Sequence, residues 1–243
     1  MNKQKLTLSQ LSSKSGSNKH VYGFTDFYET YIQHLNPKVV CEIGMGGLIP
    51  SHWPEYQHIE QDNPGGSSRM WLKYFPNAKI FVMDNFSQVS ENDVSRVISE
   101  VALASDGRYT LFEGDQSLQV DLERFIESIG EKIDFLVDDG GHKMQQQQLS
   151  FAVLFHQIKS GGLYSIEDLH TSTWTHTRKW GAYPDGSNTT LTMLENFNDT
   201  GKIESLYMSE EDKKYLEENI SFCEIWRGSY DNGSAITSMI GKK

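Results

Sequence analysis

The sequence predicts one α/β domain on an open, doubly wound, mostly parallel sheet that ends in an antiparallel hairpin. Three observations carry this reading. Short runs rich in β-branched and aromatic residues alternate five times with segments of helical period. Two of the runs, IDFLVDDGGH (133–142) and LYSIEDLH (163–170), end in paired carboxylates and a histidine, as strands do at the ligand edge of an open sheet. The last two apolar runs, 220–226 and 235–240, flank Asp231-Asn232-Gly233 with no helix between them, which suits a hairpin.

Taken in order, residues 1–19 are rich in Ser, Lys and Gly and read as a flexible N-terminal arm, with 20–243 as the single domain. Apolar positions 24, 27, 28, 31, 32 and 35 recur at helical spacing, and Pro37 ends that helix. Residues 38–43 (KVVCEI) form the first strand, which holds the acid Glu42 and runs into Gly44-Met45-Gly46-Gly47. Small residues there let a ligand approach the backbone. A nucleotide-phosphate loop would continue directly into a helix, but Ile49 and Pro50 interrupt it. Residues 48–63, with His52, Trp53, Tyr56 and His58, read as a substrate loop.

A helix follows at 67–75, opened by Gly65-Gly66 and the serines 67 and 68. The second strand, 79–84, ends in Asp84, where folds of this class bind ribose hydroxyls. Residues 92–104 are helical; 109–114 form the third strand, with Asp115, Gln116 and Ser117 at its exit. An amphipathic helix at 120–129 leads into the fourth strand at 133–137. A helix at 143–158 and the fifth strand at 163–166 follow. Residues 171–188, with Trp174, His176, Trp180 and Tyr183, read as a second substrate loop. Helices at 191–197 and from Ser209 complete the set before the hairpin.

Composition narrows the function classes. Hydrophobic residues make up 37%, enough for a core, and mean hydropathy is −0.53. No apolar stretch reaches membrane-spanning length, so membrane insertion is not expected. The net charge of −11 opposes a nucleic-acid surface, which needs clustered Lys and Arg. The two cysteines, Cys41 and Cys223, fall inside strands and read as free thiols in a reducing, cytoplasmic setting. Two acids and an imidazole at one strand end suit metal binding or proton transfer.

The motifs EIGMGG (42–47), PGGSSRMW (64–71), MDNF (83–86), EGDQS (113–117), DDGGH (138–142) and KSGGLYSIEDL (159–169), preceded by YGFTDFYE (22–29), together resemble class I S-adenosylmethionine-dependent methyltransferases. Within that class they resemble the metal-dependent sugar O-methyltransferases of macrolide antibiotics. The resemblance implies a Rossmann-like sheet, S-adenosylmethionine as cofactor, and Mg2+ or another divalent cation. It assigns the metal to Asp139, Glu167 and Asp168 and the general base to His142. It places Glu42, Gly44, Ser68, Asp84, Asp115, Gln116 and Asp138 around the cofactor. The substrate loops do not match, so the acceptor is expected only as a sugar hydroxyl of a glycan, polysaccharide or glycosylated natural product. A homo-oligomer is left open, as are roles for His52, His58, His170 and His176. The competing readings are methylation of a catechol or phenol, a nicotinamide-dependent oxidoreductase, and a non-catalytic binding protein on the same fold. The broken glycine motif and the missing Tyr-x-x-x-Lys pair count against the oxidoreductase.

Overall fold

The computed structural model describes residues 6–46, 64–86, 91–230 and 233–243. Seven strands form one sheet in the order β3-β2-β1-β4-β5-β7-β6. They are β1 (Val39–Ile43), β2 (Lys79–Asp84), β3 (Tyr109–Glu113), β4 (Ile133–Asp138), β5 (Ile158–Ile166), β6 (Ile220–Tyr230) and β7 (Gly233–Lys242). The first five run parallel, and β7 inserts antiparallel between β5 and β6. Strand order reverses between β1 and β4, the crevice at which open α/β sheets bind ligands.

Side chains alternate across a strand, so each strand feeds two cores. Val39, Cys41, Ile43 and Leu136 face helices α5 (Gln119–Ile129), α6 (Met144–Phe155), α7 (Thr190–Thr200) and α8 (Glu210–Asn219). Val40, Phe135, Val137 and Leu163 face α1 (Leu8–Ser15), α2 (Phe24–Ile32), α3 (Gly66–Tyr74) and α4 (Glu91–Ala104). The same alternation sets the acids. Glu42 follows Val40, Asp139 follows Val137, and Glu167 follows Leu163 and Ser165, so all three turn toward the α1–α3 side. Asp138 turns the other way, into the core of Leu136 and Tyr164.

Three expectations are corrected. Residues 6–19 are not a flexible arm. They contain α1, opened by a Thr7–Gln10 capping box and closed by Gly16 at φ +80°. Gly16 packs so tightly on Gly66 that a Cβ on Gly66 would lie 2.6 Å from the Gly16 carbonyl oxygen. Arg69 Nε donates to the Ser15 carbonyl at 3.1 Å. The helix expected at 143–158 ends at Phe155, and Ile158 already pairs with Ile133 in β5. The hairpin strands are longer than 220–226 and 235–240. Both cysteines are free, as expected. Gly47, the loop 48–63 with His52, Trp53, Tyr56 and His58, and the hairpin residues Asp231 and Asn232 lie outside the described residues.

If α1 is part of the fold, Leu8, at 0% exposure, contributes like a core residue. Leu8→Ala should cost about 2–5 kcal/mol of unfolding free energy in urea titrations. A mobile arm would leave the midpoint unchanged.

Candidate active site

The ends of β2, β1, β4 and β5 are joined by backbone hydrogen bonds. Gly44 N donates to Met83 O at 2.8 Å, Asp139 N to Ile43 O at 2.9 Å, and Glu167 N to Asp138 O at 2.9 Å. Only glycine fits at position 44. Its φ is +94°, and a Cβ would lie 2.1 Å from the Asp139 carbonyl oxygen. This close approach aligns the acids of β1 and β4 on one edge.

Past the strand ends, Asp139, His142 and Asp168 converge. One ligand atom from each lies within 4.8 Å of the others, and all three are partly exposed. His142 Nε2 stands 3.3 Å from Asp168 Oδ2 and 4.0 Å from Asp139 Oδ1. His142 and Asp168 both have φ +55°, a left-handed conformation uncommon outside glycine. Thr171 Oγ1 holds both turns, within 3.1 Å of the His142 carbonyl and 2.9 Å of the Asp168 carbonyl. His170 Nδ1 lies 3.7 Å from Asp168 Oδ1, and burial lowers the pKa of its ring.

Glu167 turns away from that trio. Its Oε1 accepts from Tyr28 OH at 2.7 Å and from Lys19 Nζ at 2.8 Å. Lys19 is 1% exposed. Its ammonium also lies 2.5 Å from Asp139 Oδ2 and 3.4 Å from Glu42 Oε1. Burial alone would lower the Lys19 pKa, but the carboxylates Asp139, Glu167 and Glu42 outweigh it and hold the pKa above its ordinary value. Burial raises the Glu42 carboxyl to about 7 against the pull of Lys19, and Ser67 Oγ donates to its Oε2 at 2.6 Å. Burial, then the charge of Asp139, raises Glu167.

The expected cofactor residues divide into two groups. Gly44, Asp84 and Asp115 line the β1–β3 end of the edge. Asp84 Oδ2 accepts from Met45 N at 2.6 Å, and burial raises its pKa. Asp115 accepts from Ser117 and Asn85, bonds that lower its pKa. Gln116 and Asp138 instead bond to each other, at 2.6 Å. Gln116 Oε1 accepts from Gly141 N at 2.9 Å, so the pair braces the turn that carries His142. Ser68 is buried in α3, its Oγ 3.5 Å from Tyr109 OH.

The segment 171–188 folds beside the trio. The Trp180 ring centroid lies 6.2 Å from that of His142 and 6.1 Å from that of Trp174, and Met144 N donates to the Trp180 carbonyl at 2.9 Å. Lys19 and Tyr28 are the site residues that sequence reasoning missed. Tyr28 gave the signal of a helical apolar position within YGFTDFYE and no assigned role, and Lys19 stands in a polar run that gave none.

No protein-family model matches the sequence. The mycinamicin VI 2''-O-methyltransferase of Micromonospora griseorubida is 32% identical over 200 residues, which is 81% of this chain and 44% of that protein. An 8-demethyl-8-alpha-L-rhamnosyl tetracenomycin-C 2'-O-methyltransferase from Streptomyces olivaceus is 32% identical over 79% of this chain and 45% of its own length. The MycE methyltransferase of the mycinamycin biosynthetic pathway, solved in complex with Mg, SAH and mycinamycin VI, matches with a TM-score of 0.68 at 27% identity. That match covers 98% of this chain and 55% of MycE. By sequence the chain is similar to these sugar O-methyltransferases, and its fold is the Rossmann-like fold of class I methyltransferases. It spans about half the length of the relatives it matches.

In this methyltransferase-fold chain the donor set suits a hard divalent ion. Asp139 and Asp168 offer carboxylate oxygens, and the Lys19 ammonium already sits as a cation against Asp139 and Glu167. The brace formed by Gln116 is testable apart from ligand binding. Gln116→Leu leaves buried Asp138 without its shortest donor and should cost about 1–3 kcal/mol of stability in urea. If Gln116 were only a ligand contact, stability would not move.

Proposed function

We propose that this chain is an S-adenosylmethionine- and divalent-metal-dependent O-methyltransferase of a sugar hydroxyl on a glycosylated natural product or other glycan. The observation that carries the reading is the convergence of Asp139, His142 and Asp168 at the switch point, in a chain related to sugar O-methyltransferases. The nicotinamide reading has no comparable support.

Asp139, Glu167 and Asp168 would hold the ion, Glu167 on leaving the Lys19 ammonium that now occupies its Oε1. When bound, the ion supplies Lewis acidity that lowers the pKa of the acceptor hydroxyl. Bound S-adenosylmethionine supplies an electrophilic methyl group. The residues of this chain do the rest. Gly44, Asp84 and Asp115 shape the edge where the cofactor is placed. His142 accepts the hydroxyl proton, and Asp168, 3.3 Å from its Nε2, stabilises the resulting imidazolium. Trp174 and Trp180 offer flat apolar faces beside His142, suited to the apolar face of a sugar. With a net charge of −11, the partner proposed is this acceptor and not a nucleic acid.

The test is methyl transfer from labelled S-adenosylmethionine to a panel of demethylated macrolide and rhamnosyl glycosides. Transfer should stop on chelation and return with Mg2+. His142→Ala should lower turnover by about 10² to 10⁴ while leaving affinity for S-adenosylhomocysteine near wild type. Transfer that survives exhaustive chelation would remove the metal from the mechanism. A His142→Ala enzyme with wild-type turnover would remove the base.

A further inference from the structure

Lys19 is a lysine ammonium enclosed by acids that the resemblance assigned to a different cation. It lies between α1 and α2, in a short connection fixed at both ends. Gly16 packs on Gly66, and Phe24 N donates to the Lys19 carbonyl at 3.1 Å. Its Nζ bridges Asp139 Oδ2 and Glu167 Oε1, at 2.5 and 2.8 Å. Asp139 is thereby shared. One oxygen serves Lys19, and the other faces His142 Nε2 at 4.0 Å, toward Asp168. Glu167, the third acid of the expected metal set, is absent from the converging trio because Lys19 and Tyr28 hold its carboxylate.

A cation bridging Asp139 and Glu167 stands where a divalent ion bound by the same two carboxylates would have to stand. Two cations cannot share that position, since like charges this close repel strongly in a buried setting. Charge-assisted bonds of this length are about twice as strong as neutral ones, so the displacement has a real cost. We propose that Lys19 is a built-in competitor for the metal site: divalent ion binding displaces its ammonium from Asp139 and Glu167. Ion loading is thereby coupled to the docking of the α1–α2 connection. This rests on the metal reading above and adds a regulatory element that the reading does not require.

Two measurements test it, neither depending on turnover. Calorimetric titration with Mn2+ alone should show Lys19→Met and Lys19→Gln binding at least about tenfold more tightly than wild type, equivalent to about 1.4 kcal/mol. Equal or weaker binding by the variants would overturn the proposal and make Lys19 a fixed counter-charge. On the wild-type chain, acetylation by an N-hydroxysuccinimide ester, read by mass spectrometry, should find Lys19 protected after chelation and several-fold more reactive with saturating Mn2+. Protection unchanged by bound Mn2+ would overturn the proposal even if the variants failed to fold. Absence of Mn2+ binding to wild type and variants alike would remove the metal reading, and this proposal with it.

Discussion

Three carboxylates on one face of a sheet, at neighbouring strand ends, are the constraint around which this structure is arranged. Parallel register sets Glu42 beside Val137, and Asp138 beside Ile166. Alternation then directs Glu42, Asp139 and Glu167 to the same side. Burying like charges together is costly unless an opposite charge enters. The structure supplies one from outside the sheet, in Lys19. That requirement gives α1 its place: the helix carries little apolar surface beyond Leu8 and Leu11, yet it anchors the segment that brings the ammonium in. Tyr28 donates a further hydrogen bond to Glu167, and Ser67 donates one to Glu42.

The opposite side of the same edge is arranged differently. Among the described residues no cation pairs with Asp138, which accepts from Gln116 and Tyr164, and burial raises its carboxyl to about 7. One side is thus a charged, cation-holding cluster. The other is a hydrogen-bonded brace that fixes the Gly140–His142 turn. His142 stands where the two meet, with Asp139 and Asp168 on its open side and Trp180 against its ring. An imidazole so placed stands beside the acidic edge, on a turn braced from the other side by Gln116 and Asp138.

The strands were legible in the sequence because each is a short β-branched or aromatic run bounded by glycine or acid, a pattern that burial on both faces produces. The clustering of Asp139, His142 and Asp168 was legible because both strand ends repeat acid, acid and histidine. Less was visible wherever the decisive contact crossed a long stretch of chain. Lys19 meets Asp139 and Glu167 across 120 and 148 positions, and nothing local marks it. The mutual bond of Gln116 and Asp138 had the same character, so residues expected at the cofactor proved to hold each other. The α1 helix escaped notice because eight residues with two leucines give almost no period, and its stability comes from docking. The early start of β5 was hidden because Lys159 to Gly161 are exposed and polar.

The divalent-cation site proposed above lies on this acidic edge, at the switch point of a methyltransferase fold. Crystals grown with Mn2+ and S-adenosylhomocysteine and measured at an energy that reveals manganese would test it directly. One strong anomalous peak is expected, about 2.1–2.2 Å from oxygens of Asp139, Glu167 and Asp168, close to the octahedral distances of small divalent ions. S-adenosylhomocysteine is expected alongside it, at the edge formed by Gly44, Asp84 and Asp115. S-adenosylhomocysteine bound there with no manganese at the carboxylates, or with manganese elsewhere on the surface, would contradict it.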